Sequence, residues 1–254
     1  MGERLTGKVI IVTGAGSGIG AALSAGFVAD GADVVGFDLD ESGLQRTTAM
    51  CSKGMCCVTG NVKSDTDLER LTEAAMAIRG RIDVLINNAG IANQGDLIDR
   101  PFADWQAVID VNLTGVARCT HAVLPGMMER RHGRIVNVCS REGEAGRRTL
   151  SAYSASKAGI AVLTKSLARE LRKAGQDDVL VHGLIPGGTR TKMSSSDSMQ
   201  PPEAVYPHTR FVVELPRGGP NGRVFFRSED YEMFTSFNEN ELRPIPEEAV
   251  DVET

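Results

Sequence analysis

Three residues in the middle of the sequence, Ser140, Tyr153 and Lys157, have side chains suited to proton transfer and to binding an oxygen atom. Tyr153 and Lys157 are four residues apart near the start of a predicted helix, so they share one face. A free tyrosine has a pKa of about 10, too high for a base near neutral pH, and a nearby ammonium group favours the phenolate. Ser140 ends a predicted strand, where its hydroxyl can bind a substrate oxygen. The trio is suited to acid–base chemistry, whereas the Tyr/Lys pair alone is equally typical of a solvated helix face.

A glycine-rich turn before the first predicted helix is suited to nucleotide phosphates. It joins a strand to that helix with the sequence Thr13-Gly14-Ala15-Gly16-Ser17-Gly18-Ile19-Gly20. Glycines let the backbone approach a ligand closely, and a helix N-terminus offers free N–H groups to an anion. Such a turn can serve packing alone, but its strand–turn–helix context favours nucleotide binding. We expect the cofactor contacts to come from Gly14, Ser17, Gly18, Ile19 and Gly20.

An acid ends the second predicted strand. Asp38 stands 18 residues beyond Gly20, close to the spacing of an acid on the adenosine ribose, with Leu39 beside it. A carboxylate accepts from ribose hydroxyls and repels a 2′-phosphate, and no Arg or Lys occurs in the turn or next to Asp38. Both features favour NAD(H) over NADP(H). The alternative is a solvated strand-end acid, an interpretation that suits Asp40 equally well.

The elements that must position these residues alternate between strand and helix. Strands are predicted at 8–13, 33–38, 55–59, 83–87, 134–140, 179–185 and 222–227. Helices are predicted at 18–30, 42–51, 64–79, 102–131, with a break near Pro125, and 151–174. This alternation predicts an α/β fold: a single Rossmann-like, doubly wound parallel sheet of about seven strands with helices on both faces. Such sheets bind ligands at the carboxyl ends of their strands.

Taken together, the motifs resemble the short-chain dehydrogenase/reductase family, in the branch whose members are about as long as this chain. The resemblance covers about residues 5–193. It is carried by Thr13-Gly14-x-x-x-Gly18-x-Gly20, Asn87-Asn88-Ala89-Gly90, Asn112, Ser140 with twelve residues before Tyr153, Lys157, and Pro186-Gly187 with Thr191. No single motif is decisive, but the full set in this order and spacing is highly specific.

The resemblance implies roles for four residues in the reaction. Tyr153 is the general acid/base, and Ser140 binds and orients the carbonyl or alcohol oxygen. Lys157 holds the nicotinamide ribose and tunes Tyr153. Asn112 fixes a water that relays protons from Lys157 to solvent.

The resemblance also places residues around a nicotinamide cofactor. Asn88, Ala89 and Gly90 flank the adenine ribose, while Asn87 braces the sheet. The residues that face the nicotinamide are Pro186, Gly187, Thr189 and Thr191. Asn61-Val62 stands where the family usually has Asp-Val beside the adenine, and the asparagine amide oxygen can still accept a hydrogen bond.

The substrate side is predicted to lie between residues 91–96, 141–150 and a mobile lid at about 189–210. We call residues 141–150 the charged wall, because five of its members are Arg141, Glu142, Glu144, Arg147 and Arg148. One interpretation is recognition of a polar or anionic substrate by arginine. The other, which we favour, is a surface loop whose charges pair with one another.

The resemblance weakens towards the C-terminus. Family members usually close with a strand ending in Val-Asp-Gly-Gly, whereas here the segment reads Pro220-Asn221-Gly222-Arg223-Val224-Phe225-Phe226-Arg227. We predict one catalytic domain over residues 1–237. The remainder, 238–254, carries six acids and one base and is predicted to be a poorly ordered tail.

Composition excludes several other classes. The net charge of −5 comes from the tail, and a near-neutral body argues against nucleic-acid binding. The apolar runs are far shorter than a membrane span needs. Five cysteines without a CxxC pair predict a reduced, cytoplasmic chain with no metal site.

We therefore predict an NAD(H)-dependent oxidoreductase that interconverts a secondary alcohol and its ketone by hydride transfer, with oxidation favoured in the cell. By resemblance, the chain is a homo-oligomer, a tetramer or a dimer. Two alternatives stay open: a family epimerase or dehydratase, and an NAD-binding sensor or scaffold without catalysis. The complete set of Asn112, Ser140, Tyr153 and Lys157 argues against the scaffold.

Overall fold

One eight-stranded sheet forms the centre of the protein in the computed structural model, which describes residues 5–193, 196 and 198–234. The strands are β1 (Val9–Thr13), β2 (Asp33–Asp38), β3 (Cys56–Thr59), β4 (Val84–Asn87), β5 (Gly133–Val138), β6 (Val179–Ile185), β7 (Val224–Phe226) and β8 (Glu229–Asp230). Their order is β3-β2-β1-β4-β5-β6-β7-β8, and every neighbouring pair is parallel except β7 and β8. The predicted doubly wound parallel sheet is confirmed, with a short antiparallel strand added to the expected seven.

Helices cover both faces of this sheet. They are α1 (Gly18–Ala29), α2 (Glu41–Ala49), α3 (Asp65–Arg79), α4 (Phe102–Ile109), α5 (Gly115–Glu129), α6 (Glu142–Ala145), α7 (Ser151–Lys173) and α8 (Tyr206–Val213). Successive strand residues point to opposite faces. Ile10 accordingly joins the core cluster with α1, α2 and α8, and Ile11 joins the cluster with α3, α5 and α7. Because both faces are covered, all five residues of β1 are buried.

The helical stretch after residue 101 is interrupted, but not where the sequence suggested. Pro125 lies inside α5, so the expected break there is wrong. Val123 and Met127 are buried on either side of it, and this packing holds the helix although proline removes a backbone hydrogen bond. The irregularity is a π turn at Asp110–Thr114 between α4 and α5. Such turns are frequent at functional sites.

The segment predicted as a lid contains a helix that is attached to the body. Thr189 and Gln200 form a bridge, a 3-10 turn spans Pro202–Val205, and α8 follows. The Tyr206 hydroxyl donates to Asp30 Oδ2 at 2.7 Å, and Arg210 Nη1 donates to the same oxygen at 3.0 Å. These bonds tie α8 to the end of α1. The predicted tail, 238–254, lies outside the described residues.

No helix in the described part of the chain is both long enough and apolar enough to cross a bilayer.

Candidate active site

The glycine-rich turn is so tight that a side chain is excluded at Gly14 and at Gly20. Gly14 has φ +67°, in the left-handed region that favours glycine. A Cβ on Gly20 would stand 2.0 Å from the Gly14 carbonyl oxygen. Asn88 holds the turn from the neighbouring strand end, because its Nδ2 donates to the carbonyl oxygens of Thr13 at 3.0 Å and Gly14 at 3.2 Å. The turn and the Asn88–Gly90 segment therefore form one unit.

The N-terminus of α1 differs from those of the next two helices. The Asp40 and Ser64 side chains cap α2 and α3, and both of those helices carry acids in their first turn. In α1 the Ser17 side chain makes no cap bond, and the first turn contains no acid. Its free N–H groups and positive dipole end are thus left for an outside anion. This arrangement fits a nucleotide pyrophosphate.

Asp38 links the end of β2 to the glycine-rich turn. Its Oδ2 accepts from the Gly16 N–H at 2.8 Å, and its Oδ1 accepts from the Asp40 N–H at 2.9 Å. An ionised carboxylate has about four acceptor positions, so two remain for ribose hydroxyls. Leu39 beside it is 67% exposed.

Two cations that the sequence did not associate with this corner lie close to it. Arg46 Nη2 is 3.1 Å and Lys192 Nζ is 3.9 Å from Asp40 Oδ2. Hydrogen bonds from Ser42 and the Gly43 N–H, followed by these charges, lower the pKa of Asp40 to about 2. Both cations therefore have a carboxylate partner two residues from Asp38.

The segment expected beside the adenine is held by the start of α3. The Asn61 N–H donates to Asp67 Oδ2 at 2.9 Å, and Asn61 Oδ1 accepts from the Lys63 N–H at 3.0 Å. Val62 is buried against Gly115 of α5. One acceptor position of the Asn61 oxygen remains for a ligand.

Lys157 is buried beside Tyr153 on α7. Its side chain is anchored by a hydrogen bond from Nζ to the Val138 carbonyl oxygen at 2.7 Å, and only 5% of the residue is exposed. The Nζ atom lies 5.6 Å from the centre of the Tyr153 ring. Among the described residues, no carboxylate lies within 4.0 Å of this ammonium. The Lys157 side chain is therefore fixed next to the half-buried Tyr153 ring on the same face of α7.

Asn112 connects three parts of the site. It is fully buried in the π turn, where its Oδ1 accepts from the Ile91 N–H at 2.8 Å. Its Nδ2 donates to the Ile91 carbonyl oxygen at 2.9 Å and to Ser156 Oγ at 3.1 Å. Ser156 in turn donates to the Tyr153 carbonyl oxygen at 2.7 Å. Asn112 thus fixes the loop after β4 to the first turn of α7.

Ser140 and the Pro186-Gly187 turn lie side by side, because β5 and β6 are paired neighbours. The Ser140 hydroxyl is half-buried and accepts from the Glu142 N–H at 3.2 Å. Gln200 holds the turn, since its Nε2 donates to the Pro186 carbonyl oxygen at 2.6 Å and to Thr189 Oγ1 at 3.2 Å. No sequence motif pointed to Gln200, because this contact spans an irregular loop.

The loop after β6 also reaches the glycine-rich turn. A Cβ on Gly18 would lie 3.2 Å from Thr191 Cγ2. The Thr191 hydroxyl accepts from the Met193 N–H at 3.2 Å. The two ends of the predicted cofactor site, which are more than 170 residues apart in sequence, are thus brought together.

Two of the three arginines in the charged wall have a carboxylate partner. Arg147 pairs with Glu142 at 2.7 Å, and Arg148 pairs with Asp96 of the loop after β4 at 2.5 Å. Glu144 accepts from the Tyr231 hydroxyl at 2.7 Å. Arg141 has no such partner among the described residues and lies against the Phe226 ring.

Comparisons with known proteins agree with this architecture. The family model described as short chain dehydrogenase matches residues 8–201. The 3-oxoacyl-acyl-carrier-protein reductase FabG of Thermotoga maritima is 40% identical over 194 residues, which cover 75% of this chain and 78% of the relative. The D-xylose 1-dehydrogenase of Caulobacter vibrioides is 38% identical over 188 residues, 74% of each chain.

Among solved structures, the 3-ketoacyl-(acyl-carrier-protein) reductase from Brucella melitensis complexed with NADH is similar, with a TM-score of 0.80 and 26% identity. The match covers 88% of this chain and 99% of that one. Family model, relatives and fold all agree, and the chain is an oxidoreductase that belongs to the short chain dehydrogenase family.

Proposed function

We propose that the protein interconverts a secondary alcohol and its ketone with NAD(H) as the cofactor. The observation that carries the proposal is the buried Lys157 ammonium, 5.6 Å from the Tyr153 ring and anchored on Val138 at the strand edge where Ser140 stands. The two side chains lie on one helix face, where the phenol hydroxyl can exchange a proton with a bound substrate oxygen. The neighbouring hydroxyl of Ser140 provides the partner that a reacting oxygen needs.

In this proposal each side chain has one task. A bound nicotinamide supplies the hydride-transfer chemistry that the protein lacks. The Ser140 hydroxyl donates a hydrogen bond to the substrate oxygen. Tyr153 Oη takes the proton of the alcohol during oxidation and returns it to the ketone oxygen during reduction. Asn112 positions this helix end through Ser156.

The cofactor would be held by the residues that the resemblance assigned. The glycine-rich turn and the N-terminus of α1 receive the pyrophosphate, while Asp38 and Leu39 flank the adenosine ribose. The remaining proposed contacts are Asn61, Val62, Asn88, Ala89, Gly90, Tyr153, Lys157, Pro186, Gly187, Thr189 and Thr191. We propose NAD over NADP, because Asp38 is anionic and the nearby Arg46 and Lys192 are already paired with Asp40.

The relatives support the reaction class. One has a name that states reduction of a 3-oxoacyl group, and another has a name that states dehydrogenation of a sugar. The similar Brucella structure is described as a complex with NADH. Each fits the interconversion of a C–OH group and a carbonyl with a nicotinamide cofactor.

The test is NADH formation across a panel of secondary alcohols, with wild type, Tyr153→Phe and Tyr206→Phe. Tyr206 is a matched control, because its hydroxyl is bonded to Asp30 at the far end of α1. Loss of general acid–base catalysis costs roughly 10²–10⁴-fold in rate. We expect that loss in Tyr153→Phe alone, with NAD binding retained in a thermal-shift assay. Equal turnover in both variants would refute the catalytic assignment, and faster turnover with NADP would refute the cofactor assignment.

We also propose a homo-oligomer, a dimer or a tetramer. Helices α4 and α7 leave large apolar side chains exposed, with Phe102 at 66% and Val162 at 55%. Exposed apolar side chains of this size are suited to a subunit contact. Sedimentation equilibrium of wild type and Val162→Asp tests this, and a concentration-independent monomer mass for the wild type contradicts it.

A further inference from the structure

Two arginines without an acidic partner share one aromatic ring at the substrate end of the sheet. Arg141 directly follows Ser140, and Arg227 directly follows β7. Each guanidinium carbon lies 5.6 Å from the centre of the Phe226 ring. Both arginines are exposed, whereas Phe226 is half-buried. No ion pair or hydrogen bond joins either side chain to a carboxylate in the part of the chain that the structure describes.

The strand order puts these two arginines around the proposed reaction centre. β6 lies between β5 and β7, and all three strands are parallel. Neighbouring strands are about 4.8 Å apart, so roughly 10 Å separates the ends of β5 and β7, which precede Arg141 and Arg227. A Cβ on Gly187 would lie 3.8 Å from Arg227 Nε and 4.0 Å from Phe226 Cε2. Arg227 therefore runs beside the turn after β6, and Arg141 stands next to the Ser140 hydroxyl.

The backbone at Arg227 is in an unusual conformation for an arginine. Its φ is +59°, and with Ser228 it makes the two-residue connection between β7 and β8. Glycine, asparagine and aspartate are preferred at such positions. Strained residues cluster at binding and catalytic sites.

The neighbours of the two arginines do not neutralise them. His208 faces Arg227, and burial together with the Arg227 charge lowers the pKa of His208, so the ring is neutral near pH 7. Glu144 is engaged by the Tyr231 hydroxyl and the Phe234 N–H at 2.7 and 2.9 Å. Of the other charged residues of the wall, Arg147 pairs with Glu142, and Arg148 pairs with Asp96 of the loop after β4. Neither arginine thus has a carboxylate partner within ion-pair distance among the described residues.

We infer that Arg141 and Arg227 form an anion subsite, and that the substrate is a hydroxy acid or oxo acid whose carboxylate lies a few bonds from the reacting carbon. The inference rests on the proposed function. Guanidinium groups bind carboxylates through paired N–H donors, and a ring such as Phe226 orients them by cation–π contact. The carboxylate lies between the two guanidinium groups, and Ser140 and Tyr153 hold the hydroxyl carbon nearby.

The first test compares acids with their neutral amides. The probes are 2-, 3- and 4-hydroxypentanoate, which are secondary alcohols on one carbon chain, and the corresponding primary amides. The variants are Arg141→Gln and Arg227→Gly, the latter because glycine accepts the φ of that turn. Arg223→Gln is the charge control, since Arg223 stands just before the other end of β7 and lies 3.5 Å from Asp230.

For the best acid, we expect wild-type kcat/KM to exceed that for its amide by about tenfold or more. Each subsite variant should lower kcat/KM for the acid by about tenfold or more through KM. The amide values and the KM for NAD should stay within about twofold of wild type, and Arg223→Gln should behave as wild type throughout. Preference for the amide, or an equal loss for acid and amide, overturns the inference while the alcohol dehydrogenase function stands.

The second test needs no turnover. Wild type loaded with NAD⁺ cannot reduce a ketone, so calorimetric titration with 2-, 3- and 4-oxopentanoate and their amides measures binding alone. At least one oxo acid should bind about tenfold more tightly than its amide, and both subsite variants should abolish the difference. That result supports the anion subsite even if the protein oxidises no alcohol. Absence of alcohol oxidation would contradict the proposed function alone. Equal binding of every acid and its amide overturns the inference.

Discussion

His182 gives the protein a calculable sensitivity to acid. It stands in the middle of β6 with 1% of its surface exposed, and neither ring nitrogen makes a hydrogen bond of good geometry with a described residue. Its ring lies 5.4 Å from that of Phe225. Burial in this strand, followed by the charges of Arg134 and Arg223, lowers the pKa of His182 to about 4. The folded protein therefore keeps a neutral imidazole in its core at physiological pH.

Burial of this neutral imidazole lowers the free energy of unfolding as the pH falls. A histidine in the unfolded chain has a pKa of about 6.5. Below that pH the unfolded state binds a proton that the folded state does not, so the free energy of unfolding decreases until the pH reaches about 4. One unit corresponds to about 1.4 kcal/mol, and about 1.5 units separate 6.5 from pH 5. His182 should thus cost about 2 kcal/mol of stability at pH 5 and almost nothing at pH 8.

Replacement of His182 by leucine, which has a similar volume and cannot be protonated, tests this magnitude. Urea unfolding of both proteins at pH 8 and pH 5, at one protein concentration and ionic strength, gives the two free energies. The variant should gain about 2 kcal/mol relative to wild type between the two pH values. Other groups titrate equally in both proteins and cancel. His121→Gln is the control, because His121 is exposed on α5. A gain below about 0.5 kcal/mol would refute the buried neutral imidazole.

Three further substitutions probe the site and its support. Gly20→Ala places a methyl group about 2.0 Å from the Gly14 carbonyl oxygen, so NAD affinity measured by fluorescence titration should fall by about tenfold or more; an unchanged affinity contradicts the close approach. Asp38→Asn removes the negative charge and keeps one hydrogen-bond acceptor, so the ratio of kcat/KM for NADP to that for NAD should rise by about tenfold. Initial rates with both cofactors measure this ratio, and an unchanged ratio would show that Asp38 does not discriminate between them. Arg134→Met removes the buried guanidinium bonded to Asp178 at 2.8 Å and leaves His132, also at 2.8 Å, as a partner of that carboxylate; it should cost about 3 kcal/mol in urea unfolding, and a cost below about 1 kcal/mol argues against the Arg134–Asp178 pairing.

The parts of the structure that the sequence predicts are those governed by local rules. Buried strands need runs of apolar residues, and the tight turn needs glycines at particular positions. The order and spacing of these residue types along the sequence therefore predict both features. The expected break at Pro125 followed the local helix propensity of proline. It was wrong because buried neighbours on both sides hold α5 together.

The contacts that the sequence did not predict are long-range and join irregular segments. Gln200 reaches the Pro186 carbonyl oxygen from the far side of a loop. Lys192 reaches Asp40 across more than 150 residues. The π turn around Asn112 has no residue type that marks it. Such contacts depend on how the folded helices, strands and loops pack against one another. The periodicity of apolar residues along the sequence carries no information about that packing.

The distribution of charge along the strand edge connects the cofactor and substrate proposals. At one end, the carboxylates of Asp38 and Asp40 lie beside the glycine-rich turn, and Arg46 pairs with Asp40. At the other end, Arg141 and Arg227 share Phe226 and have no acidic partner among the described residues. A cofactor without a 2′-phosphate fits the first end, and an anionic substrate fits the second. The two proposals therefore assign opposite charge preferences to the two ends of this sheet edge: against a 2′-phosphate on the cofactor and in favour of a carboxylate on the substrate.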